Sequence, residues 1–414
     1  MRIRHLWVAA LLCACAFCAG AVTLEEAQRA AADNLDVSIA RRAWAAARGD
    51  VMAADHAPPP QLTAKASQID LQNGVGGGNV FRDKRIDKSI GLDWTLERGN
   101  KRELRTRAAQ AGEQAARADL QEAMVLQQVA ASNAFYDLLA AQEKLAQVQA
   151  IAGSAEQLSQ AAQRRVRAGD LSRQDAARVA IEAERARADA LGAQADRARA
   201  AQALAQATGL PGPLVAAGSW PALAPPEAEG TLDIEGRADV RAARERVTAA
   251  QRAFDSAQAL RKADVTVGAT YDHFPGTSNR LLEVRLQMPL AGEVGYGYQG
   301  EIERARAQLA LAEDQLEKAR RAAGADMQRL AQDLQSASAR AAAYDETIVP
   351  RARDVAQMAE YAYGRGAMAL TELIEARRTL RAVLLEEIAA RADHARTLAA
   401  WQLRQRQAPE PGTP

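Results

Sequence analysis

Apolar and polar positions follow two different periods along this chain. After Thr23, which can cap a helix, apolar residues recur at helical spacing to about Asp55, and Pro58-Pro59-Pro60 ends that pattern. From about residue 62 to 97 the period changes to two, and the apolar positions of the return segment are Ile90, Leu92, Trp94 and Leu96. This alternation predicts a β-hairpin with one apolar and one polar side.

The second half of the chain repeats this order. Asp36-Val37 falls on Asp239-Val240, an offset of 203 residues (36 against 239), and a second alternating segment spans about 264–288. Its polar face carries Glu283 and Arg285, which would be costly to bury in a dry core, so we expect that face to meet water. The duplication predicts one αβ unit built twice, giving a mainly α fold with a β part.

Long helical patterns connect these elements. They run from Lys101 to Arg167 and from Ser172 to Thr208 in the first half, and from Glu301 to Tyr363 in the second. Gly169 and Gly366, 197 residues apart (169 against 366), interrupt the patterns. Glycine at such a point allows a tight turn between antiparallel helices, so the sequence predicts two helical hairpins with these glycines at their tips.

The domain boundaries follow from these patterns. We expect a signal peptide over 1–21, a first repeat over 22–208, a linker rich in Pro, Gly and Ala over 209–233, a second repeat over 234–406 and a disordered tail over 407–414. Gly153 and Pro350 occupy the same register in the two repeats. A shared helix breaker predicts a kink, or a junction between stacked helices, at that level.

Composition narrows the class of protein. The chain is 48% hydrophobic but only 4% aromatic, and its charged residues nearly cancel at a net charge of +1. Alanine-rich apolar content with interspersed charges is typical of long packed helices, and the neutral balance gives no reason to invoke nucleic acid. No phosphate loop, nucleophile elbow or triad is evident in the sequence, so we expect no enzyme activity and no cofactor.

The N-terminus has the pattern of a secretory signal. A basic start precedes an apolar run over 6–17, and Ala19-Gly20-Ala21 offers small residues for cleavage after Ala21. All cysteines of the chain lie in this segment, so the mature protein would have none: Cys13, Cys15 and Cys18. Leu12-Cys13-Ala14-Cys15 matches a lipid-attachment motif poorly. Whether one of these cysteines carries a lipid stays open.

The hairpins bear on how the exported chain meets a membrane. After the signal, no segment approaches the ~20 apolar residues of a membrane helix. Apolar-out, polar-in hairpins in an exported protein have the pattern of a transmembrane β-barrel. One chain offers four such strands, which are too few to close a barrel, and an open strand edge in lipid is forbidden. Several copies must therefore share one barrel.

These elements in this order resemble the TolC-type outer-membrane efflux channels. The sharpest likeness is in Tyr361-Ala362-Tyr363-Gly364-Arg365-Gly366 leading into Leu370-Thr371-Glu372-Leu373-Ile374-Glu375-Ala376-Arg377, in Met288-Pro289-Leu290 and in Phe135-Tyr136-Asp137-Leu138-Leu139. The resemblance implies a homotrimer in the Gram-negative outer membrane, with a long periplasmic α-helical barrel and a shared twelve-stranded transmembrane β-barrel. It also implies two partners below the tips: a periplasmic adaptor (membrane fusion protein) and, through it, an inner-membrane RND pump.

Two short segments look like the cobalt–zinc–cadmium branch of that family. They are Tyr298-Gln299-Gly300-Glu301-Ile302 and Trp94-Thr95-Leu96-Glu97-Arg98-Gly99-Asn100-Lys101-Arg102, in which Asn100 departs from the branch's second glycine. Export of heavy-metal cations is therefore the leading hypothesis for the substrate. The same duct could instead serve protein secretion or drug efflux. From another class, a periplasmic coiled-coil scaffold or adaptor would use the helices alone.

Acidic residues recur six positions past each tip glycine. Asp175 follows Gly169 and Glu372 follows Gly366 at this spacing, while Arg178 and Glu375 lie at nine. Acids line the constriction at these positions in the family, so the resemblance implies closely spaced carboxylate rings that attract cations. The alternative is a set of solvated acids near helix N-termini, where the helix dipole favours them.

Two further groups of residues are candidates for function. The tips would meet an adaptor hairpin through Gly169, Leu171, Ser172, Gly366, Met368 and Leu370, although helix termination alone also explains the glycines. Residues in or near strand ends are candidates for a membrane-interface belt, with ordinary packing as the alternative: Trp94, Tyr271, Phe274 and Phe81. The four histidines show no ligand spacing, so we expect no bound metal.

Overall fold

The chain folds mainly into helices, with two small groups of strands. The computed structural model describes residues 20–79, 85–223, 233–274, 278–290 and 295–405. Phe81, most of the predicted signal peptide and the predicted tail over 407–414 lie outside the described residues. Within them the elements occur in the order expected for a unit built twice: helix, hairpin and long helices, then the same again.

The elements have the following bounds. The first repeat contains β1 (Gly20–Val22), α1 (Leu24–Ala31), α2 (Leu35–Ala54), β2 (Gln61–Ser67), β3 (Asp87–Leu96), α3 (Lys101–Ala168) and α4 (Arg173–Thr208). The linker and second repeat contain β4 (Leu214–Ala216), α5 (Ala238–Ala259), β5 (Val265–Phe274), β6 (Ser278–Gln287), α6 (Gln299–Ala343), a π-helix (Tyr344–Ile348), α7 (Val349–Gly364) and α8 (Leu370–Gln405). Among the described helices, none combines the length and apolarity needed to cross a membrane.

The described chain divides into two compact units. The first comprises the residues up to Ser38, Ala123–Asp233 and the chain from Ala325 onward. The second comprises Ile39–Glu122 and Ile234–Gly324. Both helical tips and the short strands β1 and β4 belong to the first unit, and both hairpins belong to the second.

The start of the first repeat differs in one respect from the prediction. Thr23 caps α1 as expected, and its hydroxyl and backbone N–H share a capping box with Glu26. However, the predicted continuous helix to Asp55 is wrong, because it breaks at Asn34 into α1 and α2. The Asn34 side chain donates to the Ala207 carbonyl oxygen at 2.7 Å. The Asn34 carbonyl accepts from the N–H of Ser38 at 2.9 Å, so Asn34 caps the start of α2, a position that asparagine favours.

Only one of the two predicted breakers interrupts its helix. α3 runs unbroken through Gly153, whereas the π-helix lies directly before Pro350. A glycine weakens a helix by only about 1 kcal/mol, which packing along a long helix offsets. Proline lacks the N–H donor and its ring clashes with the carbonyl four residues earlier, so the wider turn of a π-helix accommodates it.

The two hairpins join into one antiparallel sheet in the second unit. The strand order is β2-β3-β5-β6, so β3 of the first repeat pairs with β5 of the second. The register places Asp93 opposite Gly268, and Gly268 opposite Arg285. The predicted alternation is confirmed, since the apolar side chains of one face are exposed: Leu62, Ile90, Leu92, Trp94, Leu96, Val267, Tyr271, Leu282, Val284 and Leu286.

A compact core lies in the first unit, where the linker also packs. Phe135 and Leu138 on α3 and Leu204 on α4 are almost fully buried, in one cluster with residues of β1 and β4, which pair in parallel. The Gln142 side chain accepts from the Ala216 N–H at 2.8 Å and donates to the Ala216 carbonyl oxygen at 3.1 Å. The region predicted only as a linker therefore contains a strand that fixes it to α3.

Candidate functional site

Both helical hairpins turn through the same backbone motif. At the first tip the N–H of Gly169 donates to the carbonyl of Val166 at 3.1 Å, and the N–H of Asp170 donates to that of Arg165 at 2.8 Å. The equivalent bonds at Gly366 and the following residue are 3.0 and 2.9 Å. The two glycines have φ of +84° and +74°. This is a Schellman motif, so the predicted tight turns are confirmed.

The predicted acid of the first tip is bound locally. Ser172 caps α4 by accepting from the N–H of Asp175 at 3.0 Å, and its hydroxyl donates back to the Asp175 carboxylate at 2.7 Å. Arg178 Nη1 lies 3.9 Å from Asp175 Oδ1. Asp175 is about one-third exposed, with a relative side-chain exposure of 35%. It is therefore positioned by the helix start rather than free to swing.

The acids of the second tip are more open to solvent. Glu372 accepts from the N–H of Ala369 at 3.2 Å, which occupies one unpaired donor at the start of α8. Glu375 accepts from Arg378 at 2.7 Å. Both carboxylates are exposed. Helix-start geometry thus accounts for part of the acidic pattern, as the alternative reading expects, and still leaves charge facing solvent.

The two tips pack against each other through an apolar cluster. Val179 and Leu373 are each 1% exposed and form its centre. Leu370 is also buried, at 8%, whereas Leu171 and Met368 are partly buried against the cluster. Leu370 therefore supports the tips from inside, and the more open candidate adaptor contacts are Gly169, Ser172 and Gly366.

Above this cluster, three arginines of α8 pair with acids on neighbouring helices. Arg378 pairs with Glu182 of α4, and Arg381 pairs with Asp189 of the same helix. Arg377 binds Glu360 of α7 through Nε at 3.0 Å and Nη2 at 2.8 Å. These pairs connect α8 to both of its neighbours.

The electrostatics of the Arg378–Glu182 pair follow from its contacts. The hydrogen bond from Arg378 holds the pKa of the Glu182 carboxyl below its usual range, against the opposing effect of burial. The same bond raises the pKa of Arg378. Sequence analysis missed this pair because its members lie 196 positions apart, and only the helical-hairpin register brings them together.

A cavity of about 170 Å³ lies beside these ion pairs, among α3, α4, α7 and α8. Its walls are mostly apolar, with Ile151, Leu158, Val179 and Leu384 among the lining residues. The guanidinium-bearing residues at its edge are those already paired with acids. The cavity is a gap in the packing of the helical hairpins just above the tips.

The predicted aromatic residues fall on the sheet of the second unit. Trp94 and Tyr271 are 54% and 47% exposed on its apolar face. Tyr271 pairs with Ile90, which lies four residues from Trp94 along β3, so the two aromatic residues are separated by about 13 Å along the strands. Phe274, at the end of β5, is half-buried, and Phe81 lies outside the described residues. Across the described ranges, no three His, Cys, Asp or Glu side chains are grouped as a metal site would require.

Comparison with known proteins bears on the family. Residues 27–210, which cover nearly all of the first repeat, match the model of the outer membrane efflux protein family, OEP. The family resemblance read from the sequence is thereby confirmed. The comparison with curated proteins gives no match.

Several solved structures share the fold over nearly the whole chain. They include the outer membrane protein VceC from Vibrio cholerae, with a TM-score of 0.74 and 18% identity over 91% of this chain and 94% of that one. The CmeC outer membrane channel of Campylobacter jejuni gives 0.73 and 13% over 93% and 86%. The open-state MtrE outer membrane channel of Neisseria gonorrhoeae gives 0.72 and 19% over 92% and 88%.

Proposed function

From the match of residues 27–210 to the outer membrane efflux protein family, we propose that the chain is a passive, gated exit duct in the outer membrane. It acts as a homotrimer, extends into the periplasm and catalyses no reaction. Its place is in a tripartite efflux system, in which a periplasmic adaptor connects it to an inner-membrane RND pump.

The observation that carries this proposal is the sheet of the second unit. One face exposes large apolar side chains, among them Leu282 at 76% and Leu286 at 73%. The other face holds charged residues such as Asp93 and Arg285. A soluble protein rarely exposes so continuous an apolar surface, whereas a barrel wall has lipid on one side and water on the other.

The strand count requires several copies, and the family resemblance gives their number as three. Within the described residues, β2 and β6 are the edges of the four-stranded sheet and have no further strand beside them. An unpaired edge is forbidden in lipid, so β6 of one copy must pair with β2 of the next. Three copies supply twelve strands, which lies within the known range of membrane barrels.

The tips supply the gate in this proposal. Three copies bring the exposed Glu372 and Glu375, together with Asp175 and Arg178, around one axis, where carboxylate rings attract cations and repel one another. The adaptor binds at the tip turns, around Gly169, Ser172 and Gly366. Binding there opens the tips by competing with the contacts that hold them together, which are the apolar cluster around Leu373 and the hydrogen bond from Arg165 to the Tyr363 hydroxyl at 3.1 Å.

Heavy-metal cations are the proposed substrate. The support is the likeness of 94–102 and 298–302 to the cobalt–zinc–cadmium branch, together with the carboxylates at the tips. The pump selects the substrate in such a system, so drug efflux and protein secretion are the competing outcomes. Metal sensitivity of a deletion strain, compared with its sensitivity to drugs, separates them.

Cross-linking between copies tests the duct directly. Because all cysteines lie in the predicted signal, Ala64→Cys on β2 and Val284→Cys on β6 introduce a single pair of thiols. A short thiol-reactive cross-linker should give products up to a covalent trimer in outer membranes. The control pair Ala64→Cys and Ala269→Cys uses an interior strand and should give none. Monomer alone from the first pair would contradict the shared barrel.

A further inference from the structure

The carboxylate of Asp93 contacts strands on both sides of its own. On one side, Thr63 of β2 donates from Oγ1 to Asp93 Oδ2 at 3.1 Å. On the other, Arg285 of β6 donates from Nη2 to Asp93 Oδ1 at 2.7 Å. The strand β5 lies between β3 and β6. One side chain therefore connects β2, β3 and β6, and the ion pair passes over a whole strand.

Gly268 makes this reach possible. It lies directly opposite both Asp93 and Arg285 in the register of the sheet. A Cβ at position 268 would collide with Asp93 Oδ1 and approach Arg285 Nε to 3.5 Å. Any larger residue there would thus occupy the space that the carboxylate and guanidinium share. Because Gly268 has no side chain, the carboxylate of Asp93 and the guanidinium of Arg285 can meet across β5.

The pair changes the charge of the polar face. Within the described strands this face carries four carboxylates and two cations: Asp87, Asp93, Asp272, Glu283, Lys65 and Arg285. Arg285 is engaged by Asp93, whose side chain is only 14% exposed. Glu283 is exposed and forms no ion pair with another described residue. Asp272 is buried, so the accessible charges of this face outside the pair are, within the described strands, the carboxylates of Asp87 and Glu283 against the single cation Lys65.

We propose that Asp93 and Arg285 neutralise each other across Gly268, and that the accessible carboxylates left outside this pair, chiefly the exposed Glu283, outweigh Lys65 and make the strand wall prefer cations. The inference rests on the proposed duct, because it requires the polar face to line the passage. It assigns a role in ion preference to the strand region, separate from the acids of the tips. Rings of acidic side chains favour cations in membrane pores, and three copies would present Glu283 three times.

The pairing makes opposite predictions for its two members. R285Q releases the Asp93 carboxylate and should raise the preference for cations, whereas D93N releases the Arg285 guanidinium and should lower it. The double variant D93N/R285Q should return the preference to the wild-type value. E283Q should lower it without disturbing the pair. A role confined to stability would move both single variants in the same direction.

The measurement is the reversal potential of the purified full-length protein in planar bilayers under a KCl gradient. One side is kept near 0.01 M, where charges act over about 30 Å, and the measurement is repeated at high salt, where the differences should shrink. Opposite shifts for R285Q and D93N support the proposal. Conducting variants with equal or same-direction shifts, or an unaffected E283Q, overturn it and leave the duct standing. The same comparison is made with Glu372→Ala and Glu375→Ala at the tips to release the gate, and a protein that still does not conduct overturns both.

A second variant tests the pairing if the proteins with single substitutions do not assemble in the outer membrane. The reversed pair D93R/R285D keeps both charges next to Gly268 but exchanges their strands. Assembly with wild-type ion preference supports pairing across β5. Failure of the reversed pair to assemble, with D93N and R285Q also absent from the outer membrane, overturns it.

Discussion

Replacing Gly366 with alanine should loosen the second helical tip without creating a steric clash. The glycine has φ of +74°, and no atom outside its immediate neighbours lies within 4 Å of the position that a Cβ would take. The effect of the methyl group is therefore confined to backbone conformation. A non-glycine residue in the left-handed region is disfavoured by about 1–2 kcal/mol.

The size of the effect can be followed at the tip itself. The N–H of Ala367 donates to the carbonyl of Ala362 at 2.9 Å and closes the turn that Gly366 permits. Local opening made easier by about 1–2 kcal/mol increases the open population roughly 5–30-fold. Hydrogen–deuterium exchange of the peptide around 362–370, measured by mass spectrometry, should accelerate by that factor.

Gly153 provides the matched control, because it also has no atom within 4 Å of a built Cβ but lies inside α3. Gly153→Ala should stabilise its surroundings by about 0.5–1 kcal/mol, since alanine favours the helix. The same substitution thus has opposite signs at the two positions. Equal or slower exchange at the tip in Gly366→Ala would refute the assignment of a left-handed turn, and faster exchange around 153 in Gly153→Ala would show that the added methyl group, not the backbone conformation, causes the change.

Further predictions concern the packing, charges and gate of the tips. Leu373→Ala removes a side chain that is 1% exposed and should destabilise the tip region by about 2–5 kcal/mol, measured by thermal denaturation. The pKa of Glu182 is lowered in the folded protein, so its pair with Arg378 stabilises the fold above the usual carboxyl pKa near 4.5. This stabilisation is lost as pH falls through the lowered value. Arg378→Gln should therefore make the melting temperature fall less steeply with decreasing pH. Glu372→Ala with Glu375→Ala should raise conductance in planar bilayers, and an unchanged conductance and cation preference would rule out their gate role.

Local sequence rules were enough to locate the turns and strands. Gly169 and Gly366 mark the tips because few other residues adopt positive φ, so the position of each turn is fixed by the chemistry of one residue. The alternation of apolar and polar residues around Ile90 and Leu286 located the two faces of the sheet, because successive side chains of a strand point to opposite faces.

The predictions that failed did so for both tertiary and local reasons. Asn34 lies at the start of α2, and its side chain is fixed by Ala207, 173 positions away, which the local sequence does not reveal. Gly153 and Pro350 looked equivalent, yet glycine only weakens a helix whereas proline removes a donor. Accordingly α3 is continuous through Gly153, while a π-helix precedes Pro350. The short strand β4 could not be expected from three residues, because it forms against β1 and Gln142.

At the candidate site, too, local sequence did not predict the contacts between residues that are distant in the chain. The sequence spacing identified Asp175, Glu372 and Glu375, but not the helix-start bonds that hold two of them or the Arg378–Glu182 pair behind them. Nothing in the local sequence of Gly268 indicates that Asp93 and Arg285 meet across it. That relation follows only from the strand order β3-β5-β6.

The number of chains in the membrane-extracted particle tests the central claim most directly. Native mass spectrometry of the detergent-solubilised, full-length protein should give a particle of three chains, because four strands with two open edges require several copies and the family resemblance implies three. The protein should resist extraction by salt alone. A monomer under these conditions, or release from membranes by a salt wash, would contradict the shared barrel and with it the duct, whereas a dimer would contradict the trimer.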